Sequence, residues 1–544
     1  MLLPTANVHE KKTLRSLRRD PLFSGSIMAT GRGELPVEPV GRSVSCGGDR
    51  ATVRYVGPVE PFEGLWLGLE WDNPERGKHD GSHKGRRYFT SRNPTGGSFV
   101  RPVKVSFGVD FLTAVSQTYE FNMEDVLKEE IPISSKKLEW SDVQERRFAT
   151  LSSVLLNHCE VNGAGEAGEI RRTTPNVKWL DLSRSLLSKW EDVAAITEQL
   201  EQLRGLELCD NRLSLTSDPW AHQQAFRSLK VLALNSCSIT WLEILECAPM
   251  WPQLEELSVE NNNITELQRP EGVLQMLKIL RLSCNPLKQE TVCRLSSLPR
   301  LEQLNLSETG LSSFQLEDAD QASCTAAFPS LKRLNLDHNS ISEWRLINDL
   351  TKLPDLVKLS CRNNKLLSRD GNLNTVNQMI IAKLGQLLYL NNSEINPAER
   401  KGAELDYIKM FGEEWLKAGG PGQPSVEFTL QHPTYQRLIQ KYGAADEGEL
   451  KKPEPFALKN QLLKITFVFP EAEQKPIEKK LPASMVIQKV KGLLYRLLKV
   501  PVSDLRLTYT SPKMSGTEFD LDSDLKTLQF YSIENGDQVL VRWS

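Results

Sequence analysis

With 544 residues, 25% of them charged and 39% apolar, the chain is long enough for several separately cored domains and has the balance of ordinary folded protein. A formal net charge of −3 excludes a global field that would draw the molecule to nucleic acid or an anionic membrane, so any basic surface must be local. No run approaches the roughly 18 consecutive apolar residues of a membrane span, and the nine cysteines are odd in number with no C-x-x-C pair, which argues against a disulfide framework or a zinc site. A cytosolic protein with reduced, partly buried thiols is expected.

Residues 1–37 read as a disordered basic extension. Lys11, Lys12, Arg15, Arg18 and Arg19 sit among little that could pack, and Glu10 and Asp20 spoil the acid-poor pattern of a transit peptide. A second potential start lies at Met28.

Residues 38–109 predict a small β module. Short β-type runs at Ala51–Val56, Leu65–Trp71, Arg87–Phe89 and Ser98–Val100 are punctuated by Gly and Pro. At the centre stands Gly77-Lys78-His79-Asp80-Gly81, whose bracketing glycines let the backbone take positive φ and approach a ligand closely. Phe62, Trp66, Trp71, Phe89 and Phe99 are too many rings for so small a core, so some must line a groove, while Trp71 and Tyr88 are expected in the core. This segment resembles a CAP-Gly domain, through the G-K-N-D-G-like loop, Gly64-Leu65-Trp66-Leu67-Gly68 upstream and Arg87-Tyr88-Phe89 downstream. The resemblance implies a groove for the acidic, aromatic-ended C-terminus of α-tubulin. Lys78 would meet carboxylates, and Phe62, Trp66, Phe89 and Phe99 would enclose the terminal ring. Gly77, His79, Asp80 and Gly81 complete the expected tail-binding set. His79 stands where the family has Asn; imidazole offers fewer hydrogen-bonding positions and brings pH sensitivity.

A connecting segment, 110–150, leads to residues 151–418, where the frame L-x-x-L-x-L-x-x-N-x-L recurs at intervals of about 23 to 30 residues. It reads Leu203, Leu206, Leu208, Asn211 in one copy and Leu277, Leu280, Leu282, Asn285 in another; a frayed unit begins at Leu384. Eight or so stacked units would bury a core that none could bury alone. Cys237 and Cys361 fall on frame positions and are expected to pack rather than react. The x positions, among them Lys178, Trp179, Asp181, Arg204, Glu207, Lys230, Glu255, Lys278, Arg281, Glu302, Arg333 and Asp337, are expected to line a concave face of mixed charge suited to a protein partner. Ile395, Glu399, Tyr407, Phe411 and Trp415 predict a helical cap.

A linker at 419–459 opens on Gly419-Gly420-Pro421-Gly422, and residues 460–544 predict a β-grasp module. Strands are expected at Leu462–Phe469, Ile477–Leu481, Leu505–Tyr509 and Gln538–Trp543, with a helix over Met485–Lys499 carried by Val486, Val490, Leu493, Leu494, Leu497 and Leu498. The segment resembles ubiquitin, including a late turn at Glu534-Asn535-Gly536-Asp537, but its last residues, Arg542-Trp543-Ser544, lack a terminal Gly-Gly for conjugation. A docking module is expected.

No phosphate loop, H-E-x-x-H or G-x-S-x-G motif occurs, and the seven histidines share no metal-ligand spacing. No catalytic residue, metal or cofactor is therefore expected. The fold class is multidomain: a β-barrel-like CAP-Gly module, an α/β leucine-rich-repeat solenoid and a β-grasp. In that order the modules resemble the tubulin-folding cofactor E family. The resemblance implies a non-enzymatic chaperone of the cytoplasm and cytoskeleton that binds α-tubulin and takes part in assembling and disassembling the αβ heterodimer. Tubulin-folding cofactors B, C and D are the implied partners, with the tail of α-tubulin in the groove and its body on the array. The proteasome is a further candidate partner through the last module; nucleic acid and membrane are not expected. Two other readings stay open: a microtubule-binding CAP-Gly regulator, and a ubiquitin-pathway adaptor.

Overall fold

The computed structural model describes residues 35–126, 148–313, 316, 328–368, 371–422, 424–445, 462–472, 474–510, 518–531, 533 and 536–543. The expected extension up to residue 34, the polar stretch 447–459, Cys324 and the Glu534-Asn535 pair lie outside the described residues. The chain divides into two compact units: the first holds residues 1–366, 380–403 and 426–436, and the second holds 367–379, 404–425 and 437–544.

The first unit begins with a four-stranded antiparallel sheet in the order Ser43–Cys46, Asp49–Val59, Phe62–Trp71, Gly97–Val100. Alternation puts Val44, Val53, Leu67 and Leu69 inside, all fully buried beside Ala51 and Trp71. The strand expected at Arg87–Phe89 is a two-residue arm instead: Arg86–Arg87 pairs with Ser82–His83 in a small hairpin of its own. The pleat breaks there because the Phe89 side chain turns down onto Gly68 and Gly97.

The segment expected to be a mere connection is structured over 110–126. Val109–Asp110 pairs with Val161–Gly163, and the helix Phe111–Val126 follows, capped by Asp110, whose Oδ1 accepts from the Thr113 N–H at 2.8 Å. Phe111 and Val115 are fully buried, and the Tyr119 hydroxyl accepts from the Leu155 N–H at 2.9 Å. This helix therefore covers the first strand of the repeat sheet.

That sheet has eleven strands, ten of them parallel. It starts at Ser153–Leu155, one strand before the first recognised copy of the frame, and continues through three-residue strands such as Trp179–Asp181, Ile279–Arg281 and Lys358–Ser360 to Tyr389–Leu390. The middle leucines stand in register across it: Leu180, Leu206, Leu232, Leu257, Leu280, Leu304, Leu334 and Leu359. All are at most 3% exposed, so they form one continuous core.

The frame asparagines hold the stack from one unit to the next. Asn285 donates to the carbonyls of Val259 (3.0 Å) and Leu282 (2.9 Å) and accepts from the N–H groups of Asn262 (2.9 Å) and Ile264 (3.0 Å). Asn211, Asn262, Asn339 and Asn364 repeat the pattern. Where the frame departs from Asn, a smaller donor serves: Cys237 Sγ donates to Leu208 O at 3.2 Å and Thr309 Oγ1 to Leu306 O at 2.7 Å. Burial pushes the thiols of Cys237 and Cys361 up to about 12, so both stay protonated packing groups.

The expected concave positions need correction in two respects. Lys178, Arg204, Lys230, Glu255, Lys278, Glu302 and Lys332 lie one residue before their strands and form an edge row. There Glu255 joins Lys230 and Lys278, and Glu302 joins Lys332 at 3.2 Å. Asp337 is 3% exposed, its carboxylate taken by Ser360 Oγ (2.7 Å) and the Arg362 guanidinium (2.7 Å). The strand residues proper, such as Trp179, Asp181, Glu207, Arg281 and Arg333, face the concave side.

In the second unit the last module is a five-stranded sheet in the order Ile477–Pro482, Leu462–Val468, Gln538–Trp543, Leu505–Thr510, Phe519–Asp520. The helix Ile487–Leu498 lays Ile487, Val490 and Leu494 on Ile465, Phe467, Val539 and Val541. Leu497, expected on the inner face, is 39% exposed; at this end of the helix Leu494 and Leu498 make the contact with the sheet instead. The helix Pro397–Lys417 spans the predicted cap and buries Tyr407, Phe411 and Trp415.

Candidate functional site

The glycine-bracketed loop is laid on the last strand of the first sheet. Lys78 N–H donates to Gly97 O at 2.7 Å, and Gly97 N–H returns a bond to His79 O at 2.7 Å. Glycine is required on both sides of this contact. A Cβ on Gly77 would lie 1.9 Å from Thr95 O, and one on Gly97 would lie 2.6 Å from His79 O. Gly81 has φ +98°, and its Cβ would meet Phe89 O at 2.2 Å.

Above this loop a groove of about 710 Å³ is lined by Phe62, Trp66, Lys78, His79, His83 and Phe99, with Arg76, Arg101 and Lys104 along its margin. Phe62 stacks obliquely on Trp66 at 5.8 Å and on His83 at 5.7 Å, while His79 lies over Phe99 at 4.8 Å. Phe62 is 50% exposed, an apolar ring held at the mouth. Two enclosed nitrogens of this wall, Trp66 Nε1 and His83 Nε2, have no hydrogen-bonding partner among the described residues.

The expected site residues separate into two groups. Phe62, Trp66, Lys78, His79 and Phe99 come together as the wall. Gly77, Asp80, Gly81 and Phe89 shape it from behind. Phe89 is 8% exposed and supports Phe99 edge-on at 5.6 Å, so it backs the expected ring pocket rather than facing it. Asp80 is engaged locally: Oδ1 accepts from Ser82 N–H at 3.0 Å and Oδ2 pairs with Arg87 at 2.8 Å, bonds that hold its carboxyl below the usual range, the Ser82 bonds first. Trp71 is buried as expected, at 4%, whereas Tyr88 is half-buried with its hydroxyl accepting from Glu60 N–H at 3.2 Å.

His79 Nδ1 accepts from Gly81 N–H at 3.0 Å, which leaves the ring's proton on Nε2 in the neutral form. Burial, with Lys78 and His83 nearby, lowers its pKa below 6.5 against the pull of Asp80. The imidazole is therefore neutral near pH 7 and acts as a stacking surface and single donor.

Sequence reasoning missed Arg101. Its guanidinium lies 3.9 Å over the Trp66 ring and donates to Leu65 O at 3.1 Å. The signal was present: strand alternation puts residue 101 on the same side as Phe99. Arg76, 4.5 Å over Trp71, and His83 were missed as well.

The groove module is fastened to the array. Asp72 pairs with Arg50 at 3.2 Å and with Arg212 at 3.3 Å, and Arg50 also donates to Ser185 O at 3.2 Å. Asn162 Nδ2 adds a bond to Phe107 O at 2.8 Å.

An aromatic groove with a cationic margin, a leucine-rich array and a β-grasp define a multidomain binding protein of the CAP-Gly, leucine-rich-repeat and ubiquitin-like class. Residues 40–105 match the CAP-Gly domain family and residues 462–542 the ubiquitin-like domain family. The tubulin-specific chaperone E of Danio rerio is 58% identical over 517 residues, spanning 93% of this chain and 99% of that protein. That of Homo sapiens is 49% identical over 524 residues, spanning 94% and 99%. The solution structure of the C-terminal ubiquitin-like domain of mouse tubulin-specific chaperone e is 59% identical, covering 15% of this chain and 88% of that one, with a TM-score of 0.15. The chain belongs to the tubulin-specific chaperone E family.

Proposed function

We propose that this protein is a tubulin-folding chaperone that acts by binding, with the groove of its first module as the seat for the acidic, aromatic-ended C-terminus of α-tubulin. The observation that carries this reading is the composition of the groove. A mobile apolar end would pack against Phe62, Trp66 and Phe99. Carboxylates would meet Lys78, Arg101 and Lys104, and the unpartnered Trp66 and His83 nitrogens await a polar group. Gly77, Asp80, Gly81 and Phe89 position that wall without touching the ligand, and His79 stacks and donates.

In this reading no bond is made or broken by the chain. It holds α-tubulin while the αβ heterodimer is assembled or taken apart, together with the tubulin-folding cofactors B, C and D, in the cytoplasm and on the cytoskeleton. Among the described residues no helix is long and apolar enough to cross a membrane. The Asp72 clamp supports a bivalent mode, in which the groove and the array engage one client and the second contact gains from effective concentration. The last module would serve as a docking element, with the proteasome one candidate partner.

The test is a titration of the full chain with an α-tubulin tail peptide, with and without its final aromatic residue, at low and high salt. Lys78→Ala should weaken binding about tenfold and flatten the salt dependence, because a charge-assisted contact is screened. Loss of the terminal ring should weaken binding equally at both salts, by roughly 1.5–3 kcal/mol of apolar burial. Equal affinity for both peptides would exclude the groove as the tail site.

A further inference from the structure

The array handles charge differently at its edge and on its concave sheet. At the edge, Lys230, Glu255 and Lys278 alternate and neutralise one another, as do Glu302 and Lys332. On the sheet, register sets Gln303, Arg333, Lys358 and Tyr389 side by side on successive parallel strands. Arg333 and Lys358 are thus two cations abreast at the inter-strand spacing of about 4.8 Å. Neither forms an ion pair among the described residues; Lys358 has only the Tyr389 ring, 6.0 Å away. They flank a hollow of about 250 Å³ that also receives Arg281 and Arg362. Those two are already paired, with Glu256 at 3.4 Å and Asp337 at 2.7 Å.

The opposite end of the same face carries the reverse arrangement. Asp181 and Glu207 stand abreast on neighbouring strands beside the exposed Trp179, again with no cation paired to either among the described residues. Like charges side by side on adjacent strands oppose folding unless something else offsets them. The edge row cancels its charge from Lys230 to Lys332, while Lys178 and Arg204 extend it with two cations that have no ion pair among the described residues. Beside the neutral stretch, the concave sheet keeps Arg333 and Lys358 uncancelled, a place to meet charge from outside.

We propose that the concave sheet is a second binding surface, separate from the aromatic groove, whose Arg333–Lys358 end takes an extended acidic segment of a partner protein. Carboxylates of the segment pair with Arg333 and Lys358. The carboxamide of Gln303 and the amide nitrogen of Asn335, next to them in register, offer hydrogen bonds to its backbone, while the side-chain oxygens of Asn305 and Asn335 are already taken by the Ser307 and Asp337 N–H groups. The acidic pair at the far end sets polarity: it repels a long uniform polyanion, which disfavours nucleic acid, and accepts a protein whose acidic stretch is short. This proposal does not rest on the tail reading of the groove.

The experiment uses the full chain and a fluorescent hexaglutamate peptide with an amidated C-terminus, which offers the groove neither an aromatic end nor a terminal carboxylate. Binding is read by anisotropy across a salt series. The peptide is expected to bind, to lose affinity with salt, and to keep a salt-dependent affinity in Lys78→Ala, whose groove has lost its own carboxylate contact. The double variant Arg333→Glu/Lys358→Glu should lose at least about tenfold, and the milder Arg333→Gln a smaller part, with melting curves unchanged because Arg333 is exposed and Lys358 only half-buried. Unchanged affinity in Arg333→Gln and the double variant overturns the proposal. So does loss of binding in Lys78→Ala, which would return the peptide to the groove. Displacement by a single-stranded oligonucleotide at lower concentration than by the peptide would overturn it in favour of nucleic acid.

Discussion

The aromatic groove and the asparagine ladder both enclose polar atoms, and they use them in opposite ways. In the ladder, Asn285 is fully buried and spends both amide hydrogens and its carbonyl oxygen on the backbone of neighbouring units. In the groove, Trp66 Nε1 and His83 Nε2 are equally enclosed and unspent. Burial alone therefore does not separate structural from functional polar groups. Nor does the missing bond alone, since the indole nitrogens of Trp190 and Trp251 are as enclosed and unpartnered within the array; what marks Trp66 and His83 is an unspent capacity set in the wall of a groove.

The comparison breaks first, and hardest, at the array core. Leu282→Asp puts an unpaired carboxylate where the side chain is fully buried, at a cost on the order of 3 kcal/mol or more. A thermal melt equal to wild type would show that the stack is not one core. Asn285→Ala tests the ladder itself. It strands two carbonyls and two N–H groups, and about 2–3 kcal/mol should be lost in denaturant unfolding with groove affinity untouched. A ladder residue whose removal changed only peptide binding would reverse the assignment.

Gly77→Ala applies the converse test. Its Cβ would collide with Thr95 O, so the loop must leave the Gly97 strand and tail affinity should fall about tenfold or more while the array's unfolding stays in place.

Smaller effects sharpen the comparison through pH. Lys383 is a buried amine of the array, donating to Asn348 Oδ1 and Gln431 O, each at 2.8 Å. Desolvation lowers it from 10.5 to about 7. Between those values the unfolded chain holds the proton and the folded one does not. Stability should accordingly rise with pH through that window and be lost as pH falls to 7. Lys383→Met should remove the slope; a slope that persists would place the titration elsewhere. In the groove, His79 is lowered below 6.5, and an anionic ligand would raise it again, so binding takes up a proton. Tail affinity should be flat near neutral pH and increase a few-fold only below about pH 6.5, with the increase absent in His79→Gln. An increase already complete at neutral pH would mean the ring is charged in the free protein.

The sequence was most informative where a rule repeats. The leucine frame located the strands of the sheet to within a residue, yet one residue was enough to confuse the edge row of Lys230, Glu255 and Lys278 with the concave row of Arg281, Arg333 and Lys358. A three-residue strand gives alternation too little length to fix its phase. In the groove, the glycine loop announced itself, but Asp80 and Lys78 looked alike as loop charges. Only the hydrogen bonds of Asp80 to Ser82 and Arg87 showed that its carboxylate is spent.

By itself the sequence determined the three modules, the leucine core and the need for some rings of the first module to line a groove, because periodicity, turn glycines and ring content are local properties written in short stretches of chain. Phe62, Trp66 and Phe99 in particular were what the CAP-Gly resemblance implied. The tertiary structure alone decided which polar groups were free and which were consumed. It also joined residues no local rule connects: Asp72 to Arg212, Asn162 to Phe107, Arg101 to Trp66. The physical reason is that a charge or a donor has no preferred neighbour along the chain. Its partner is chosen by packing, from residues brought together only after the apolar frame has closed.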